Sequence, residues 1–134
     1  MFMSAESTSL PIFDVLHMEI TVAGLRITRR PEPLYHIFFR LALHNAGNCS
    51  IRLRGRKWLL QDMSGESRII EAAHVFNQDP ILTPGAVFSY SGCQSFSRPP
   101  VNMELRFFGE DQWGNPFITP SLIFPRHYLR VPRA

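Results

Sequence analysis

Arg52, Arg54 and Arg56, followed by Lys57, form the densest group of side chains in the chain that could do chemistry. The guanidinium fork grips phosphate through paired N–H donors, so arginines alternating along one strand face would hold a small anion, pyrophosphate or a nucleotide. Same-face positions on a strand stand about 6.6 Å apart at ~3.3 Å per residue. Gly55 interrupts the run, and a bulge there would break the register that brings the three guanidinium groups together. The plainer and favoured reading is a solvated strand face whose arginines pair with acids on a neighbour. The aromatic interleaving of a single-strand binder is missing from this stretch, because Trp58 falls on the core pattern. Nucleic acid is therefore not the expected partner.

Other reactive residue types are dispersed. The five histidines are His17, His36, His44, His74 and His127. No two of them have the i, i+2 or i, i+4 spacing that aims a pair of imidazoles at one metal. His36 and His44 share a strand face but lie about 26 Å apart at ~3.3 Å per residue, so both read as exposed strand residues. Cys49 and Cys93 are too few for a disulfide framework, and two reduced thiols are expected. Ser91-Gly92-Cys93 would be a reactive-thiol loop only if a cation lowered the Cys93 pKa, and Arg98 is the one cation nearby in sequence. The alternative is a small buried side chain in a turn. Glu110 and Asp111 precede a hairpin turn, where solvated acids are ordinary. With no Gly-x-Ser-x-Gly, Walker loop or His-Glu-x-x-His, the chain is expected not to be an enzyme and to carry no catalytic residue, metal or cofactor.

The elements that must position these residues are strands. At 134 residues, 45% hydrophobic, 19% charged and with eleven Phe, the chain is long enough for one self-sufficient core and too apolar to be disordered. Eleven Pro leave little room for long helices. Met18, Ile20 and Val22 share one face of a first strand, which resumes at residues 25–27 with Gly24 as a candidate bulge. Tyr35, Ile37, Phe39, Leu41 and Leu43 then form a wholly apolar face opposite His36, Phe38, Arg40, Ala42 and His44, as a sandwich core requires. A strand over 51–62 carries Trp58 and Leu60 inward, and a hairpin at 63–66 leads into 68–72. Thr83-Pro84-Gly85 suits a type II turn. Residues 87–90 make a short strand, 91–100 a long polar connection, 101–108 and 115–124 a hairpin, and 126–131 a final edge strand. The expectation is an all-β fold, an antiparallel β-sandwich of immunoglobulin or fibronectin type III-like form with seven to eight strands. Residues 1–16 read as a flexible lead-in with an apolar patch at 10–13 that docks on the domain, and 17–131 as that single domain.

Formal net charge is +3, and thirteen of the fourteen basic residues are Arg. That balance lies within ordinary solubility and does not by itself call for an anionic partner. Nothing resembles a signal peptide, and no stretch approaches the ~20 apolar residues of a membrane span, so a cytosolic location without membrane contact is expected.

The middle of the chain resembles the ApaG domain family. Arg56-Lys57-Trp58-Leu59-Leu60-Gln61-Asp62, then Gly65, is similar to that family's Arg-His-Trp, apolar pair, Asp and turn Gly. Pro80-Ile81-Leu82-Thr83-Pro84-Gly85, then Phe88 and Tyr90, resembles its Pro-x-Leu-x-Pro-Gly-x-x-Phe-x-Tyr. Ser91-Gly92-Cys93 is similar to its Ser-Gly-Cys with one residue missing after Tyr90. Met103, Gly114, Phe117 and Phe124 fall where its last hairpin has Met, Gly and two Phe.

The resemblance implies a fibronectin type III-like sandwich in small bacterial proteins associated with cobalt resistance and magnesium efflux. It also implies a protein-interaction module, from the domain's place in eukaryotic F-box and polymerase-interacting proteins, and it brings no catalytic residues. The partner is left unnamed, and the oligomeric state, monomer or homodimer, stays open. Many members carry a Gly-x-Gly-x-x-Gly linked to pyrophosphate or nucleotide binding. Here Ala72, His74 and Asn77 stand in those places, ahead of Gln78-Asp79-Pro80. A phosphate cradle needs backbone N–H groups that no Cβ obstructs, so nucleotide binding is not carried over, and a regular strand through 71–76 is expected.

Overall fold

The computed structural model describes residues 10–73 and 79–130. Among them are nine strands: β1 Leu16–Thr28, β2 Leu34–Asn45, β3 Ile51–Asp62, β4 Ser67–Ala72, β5 Ile81–Leu82, β6 Val87–Phe96, β7 Pro100–Asp111, β8 Pro116–Ile118 and β9 Leu122–Ile123. One sheet runs β1-β2-β6. The other runs β4-β3-β7-β8, with β5 also on β3 and β9 also on β7. All of these strand pairs are antiparallel. The inner faces enclose one core, as the sandwich reading requires.

Alternation builds that core. On β2, Ile37, Leu41 and Leu43 are fully buried, and on β3 and β7 so are Leu53, Leu60, Met103, Leu105 and Phe107. Phe39, Trp58 and Phe124 meet at the centre with ring centroids 5.3 to 5.7 Å apart. Removing an aromatic of this kind from a packed core costs about 3–5 kcal/mol. Thr83-Pro84-Gly85 forms the expected turn, with Gly85 at φ 84° and Ala86 N donating to Thr83 O at 2.9 Å. Residues 10–16 lie against the domain. Phe13 N donates to Ile118 O and Ile118 N to Pro11 O, each at 2.9 Å, and the Phe13 ring rests 4.9 Å from Phe117.

Several local expectations need correction. The bulge in β1 falls at Thr21, between Ile20 and Val22, while Gly24 lies in regular register opposite Phe38. Thr21 Oγ1 donates to Arg40 O, which holds the extra residue in place. Residues 91–96 are not a connection but the second half of β6, paired with β2 throughout. Their Ser and Gly residues resemble turn formers, yet Ser89, Ser91, Cys93 and Ser95 alternate with residues facing the core side. The 115–124 segment splits into β8 and β9 around Thr119-Pro120. Residues 126–128 form a 3-10 turn rather than a strand, because Tyr128 N turns back to Pro125 O and Leu129 N to Arg126 O. Leu129 is buried and anchors that turn.

Asn45 is a buried polar side chain that the periodicity did not single out. Its Nδ2 donates to Cys49 O at 2.9 Å and to Leu82 O at 3.0 Å, and its Oδ1 accepts from Gly47 N at 3.0 Å. Its backbone N donates to Ala86 O, and its carbonyl accepts from Gly85 N. Asn45→Ala would leave the buried Leu82 carbonyl and the part-buried Cys49 carbonyl without this donor and is expected to cost about 2–3 kcal/mol. Urea unfolding should show a lower midpoint with an unchanged slope.

Candidate functional site

The arginine run lies on β3, and its geometry depends on a single inserted residue. Leu53 pairs with Gly109 but Gly55 pairs with Phe108, so Arg54 is the extra residue of a bulge. Gly55 is required there, because a Cβ would run into the Phe108 ring and the Ala72 carbonyl oxygen. The insertion shifts the alternation by one. Arg52 stays exposed opposite Glu110, whereas Arg56 stands opposite the fully buried Phe107 and turns to the inner side. Lys57 takes the outer side between Glu71 and Arg106.

The three arginines therefore do not all share one face. Arg54 Nη1 donates to Glu110 Oε1 at 2.9 Å, and its Nε lies 3.8 Å from Asp79 Oδ2. With its side chain 47% exposed, this is a surface pair worth at most about 1 kcal/mol. Arg56 contributes its charge to the surroundings of Tyr90. Burial raises the Tyr90 phenol far above its ordinary value, and Arg56 offsets part of that rise.

The other candidates are placed as follows. His36 and His44 are half-buried rather than exposed. The His36 ring is fixed on both sides, Nε2 against Thr28 Oγ1 at 2.9 Å and Nδ1 against Ser95 Oγ at 2.7 Å. Cross-strand register also brings His17 opposite His44, with ring centroids 5.8 Å apart. Spacing within one strand could not reveal that pair. Among the described residues no three His, Cys, Asp or Glu side chains gather as a metal site would need. Cys49 and Cys93 are both free thiols. Cys93 is exposed on β6 opposite Phe38, neither in a loop nor buried.

Asp111 does more than sit in solvent before the hairpin. Its Oδ1 accepts from the backbone N–H groups of Asn115 and Trp113, both at 2.9 Å, and its Oδ2 from Asn115 Nδ2 at 3.1 Å.

On the outer side of the six-stranded sheet, register sets two rows across the strands. One reads Ile69, Leu59, Glu104, Ile123, and the next Glu71, Lys57, Arg106. Ile69 and Ile123 are about 60% exposed (61% and 59%). Between the rows lies a groove of about 270 Å³ lined by Lys57, Leu59, Ile69, Glu104, Arg106 and Ser121. Arg106 Nε donates to Ser121 Oγ at 3.1 Å.

A family profile described as the ApaG domain matches residues 28–109, more than half of the chain. The chain belongs to the ApaG domain family. It is 27% identical over 121 residues to Protein ApaG of Methylococcus capsulatus, covering 88% of this chain and 92% of that one. To Protein ApaG of Acidovorax sp. it is 29% identical over 94 residues, covering 69% and 68%. The fold is similar to that of an X-ray structure of a structural genomics target, with TM-score 0.75 at 16% identity over 91% of this chain and 96% of that one. It is also similar to the crystal structure of an ApaA protein from Bordetella pertussis, with TM-score 0.67 at 19% identity over 85% and 94%.

In this ApaG domain, Ala72 ends β4 opposite Arg56. His74 and Asn77, the other two positions without Gly, lie outside the described residues, as does Gln78, so the strand expected over 71–76 is described only as far as Ala72 and the bend at Ala73.

The Asn115 backbone N–H is the largest of the bonds that hold the Asp111 carboxyl below the ordinary Asp value. A lowered value means that the ionised form holds the turn. This contribution is complete above the ordinary Asp range and is lost as pH falls through the lowered midpoint. NMR titration should show the Trp113 and Asn115 amides shifting with the Asp111 carboxyl, below the midpoint of an unperturbed Asp.

Proposed function

We propose that this ApaG domain is a non-enzymatic module that recognises a protein partner through the outer face of its six-stranded sheet. The observation that carries the reading is the row of Ile69, Leu59, Glu104 and Ile123 across β4, β3, β7 and β9, three apolar side chains with one carboxylate among them, bordered by Glu71, Lys57 and Arg106. Exposed apolar side chains set among charges of both signs are an ordinary composition for a recognition surface. The groove beside them would seat one projecting side chain of the partner. The mixed signs along its rim favour a partner of matching pattern over a simple polyanion.

We place the module in the context that the family resemblance implies, cobalt resistance and magnesium efflux, acting through its partner. A cytosolic setting belongs to the same proposal and accords with the two free thiols. The small-anion alternative at Arg52, Arg54, Arg56 and Lys57 has less support, because Arg54 is held by Glu110 and Arg56 turns inward.

The test is affinity capture by the full chain, compared with Ile69→Glu and Ile123→Glu. Both sites are exposed enough for the fold to persist, which circular dichroism would check. A partner held by the wild type should be lost, by about tenfold or more in affinity, from either variant. Retention of that partner by the Ile69→Glu, Ile123→Glu double variant would overturn the assignment of this face.

A further inference from the structure

The opposite face of the sandwich, formed by β1, β2 and β6, has a different chemistry. These three strands contain two arginines, Arg26 and Arg40, three histidines and a single carboxylate, Glu19. Register sets the outward side chains in rows. Arg26, His36 and Ser95 form one, Gly24, Phe38 and Cys93 the next, and Arg40 with Ser91 belongs to the third. Phe38 is 44% exposed although it lies mid-sheet, with a strand on either side. The Arg26 guanidinium stands 5.7 Å from the Phe38 ring centroid, and Arg40 Nε lies 3.5 Å from Ser91 Oγ. Among the described residues neither arginine is in an ion pair, in contrast to Arg54 on the other sheet.

Two features make this face a site rather than a scatter of polar residues. Gly24, directly opposite Phe38, has no atom other than its own and those of its two chain neighbours within 4 Å of where a Cβ would lie, so the space beside the ring is open there. That space belongs to a groove of about 360 Å³ whose lining includes Gly24, Arg26, Phe38, Arg40 and Ser91. Along β2, two flat rings and a cation follow at alternate positions, His36, Phe38 and Arg40, with the two rings 6.3 Å apart. An aromatic on the central strand of a sheet, flanked by cations and hydroxyls with little negative charge, is the arrangement on which bases stack while arginines neutralise phosphates.

We propose that the outer face of the three-stranded sheet binds single-stranded nucleic acid, with one base stacked beside Phe38 over Gly24 and the flanking phosphates held by Arg26 and Arg40. Proteins are the other macromolecules that an Arg–aromatic surface could take. The near absence of carboxylates among these strands and the repeat of flat rings along β2 favour the nucleic acid. This site is separate from the protein-recognition face and does not depend on it.

The test is fluorescence anisotropy with labelled oligouridylate and oligothymidylate of about 12 nucleotides, at about 50 mM salt and above. Saturable binding is expected, weakened about tenfold by Phe38→Ala. Arg26→Ala and Arg40→Ala should each weaken it and reduce the slope of log affinity against log salt by about 0.7. Gly24→Val fills open space without touching the core, so it should weaken binding while thermal stability stays at the wild-type level. Arg52→Ala, on the other sheet, should leave binding unchanged.

Absence of saturable binding at low salt would overturn the proposal. So would equal affinity for a duplex of the same length, undiminished binding by both Phe38→Ala and Gly24→Val, or loss through Arg52→Ala. Displacement of the oligonucleotide by pyrophosphate or a mononucleotide at comparable concentration would replace the strand with a small anion as the ligand.

Discussion

The buried amide of Asn45 is the constraint on which the two-sheet arrangement rests. The chain passes from the three-stranded sheet to the six-stranded sheet after β2, returns after β5 and crosses once more after β6. Asn45 lies at the first two of these passages. Both lie at the same end of the sandwich, and Asn45 bonds to both. It holds Cys49 and Gly47 on the outward passage, and Leu82, Gly85 and Ala86 around the return. Loop backbone at a sheet boundary has no ladder partner, so its polar groups need partners supplied from elsewhere. An amide is suited to the task, since it donates twice and accepts at the same point. With both passages tied to one side chain, the spacing of the sheets at that end is fixed, and the Phe39, Trp58 and Phe124 cluster packs in the space so defined.

A second constraint acts within β3. One inserted residue, Arg54, reverses which side of the sheet every later side chain faces. It brings Trp58 and Leu60 into the core, and it sends Arg56 inward and Lys57 outward. Core packing decides the matter, because burying Trp58 and Leu60 releases far more free energy than keeping three exposed arginines in line. The cationic run visible in the sequence is thus distributed between two sides of the sheet, and each part meets a different neighbour.

Legibility followed the range of the interaction. The alternation of β2 could be read directly, since five apolar residues at period two admit one buried face. The bulge in β3 was readable to within one residue, because a glycine amid arginines interrupts a strand pattern; the inserted residue is its neighbour Arg54. The second half of β6 was not, since Ser91-Gly92-Cys93 has turn composition and becomes a strand only through pairing with β2. Asn45 was hidden for a similar reason, as an Asn beside Ala46-Gly47 reads locally as a turn residue. Cross-strand neighbours were beyond reach. Phe38 meets Gly24 and Cys93, and His17 meets His44, through register alone, which no spacing within one segment reports. The rows on both outer faces are of this kind.

Arg68 links the sheets at their border. From β4 it donates to the carbonyl of Ser95 on β6 at 2.7 Å and lies 5.6 Å from the Phe96 ring centroid. Among the described residues β6 pairs only with β2, so the other side of this ten-residue strand is a row of backbone groups without a strand partner. Such a row is a template on which a second chain can extend the sheet. By occupying the Ser95 carbonyl and laying a bulky cation across that end, Arg68 leaves less of the β6 edge open to such pairing.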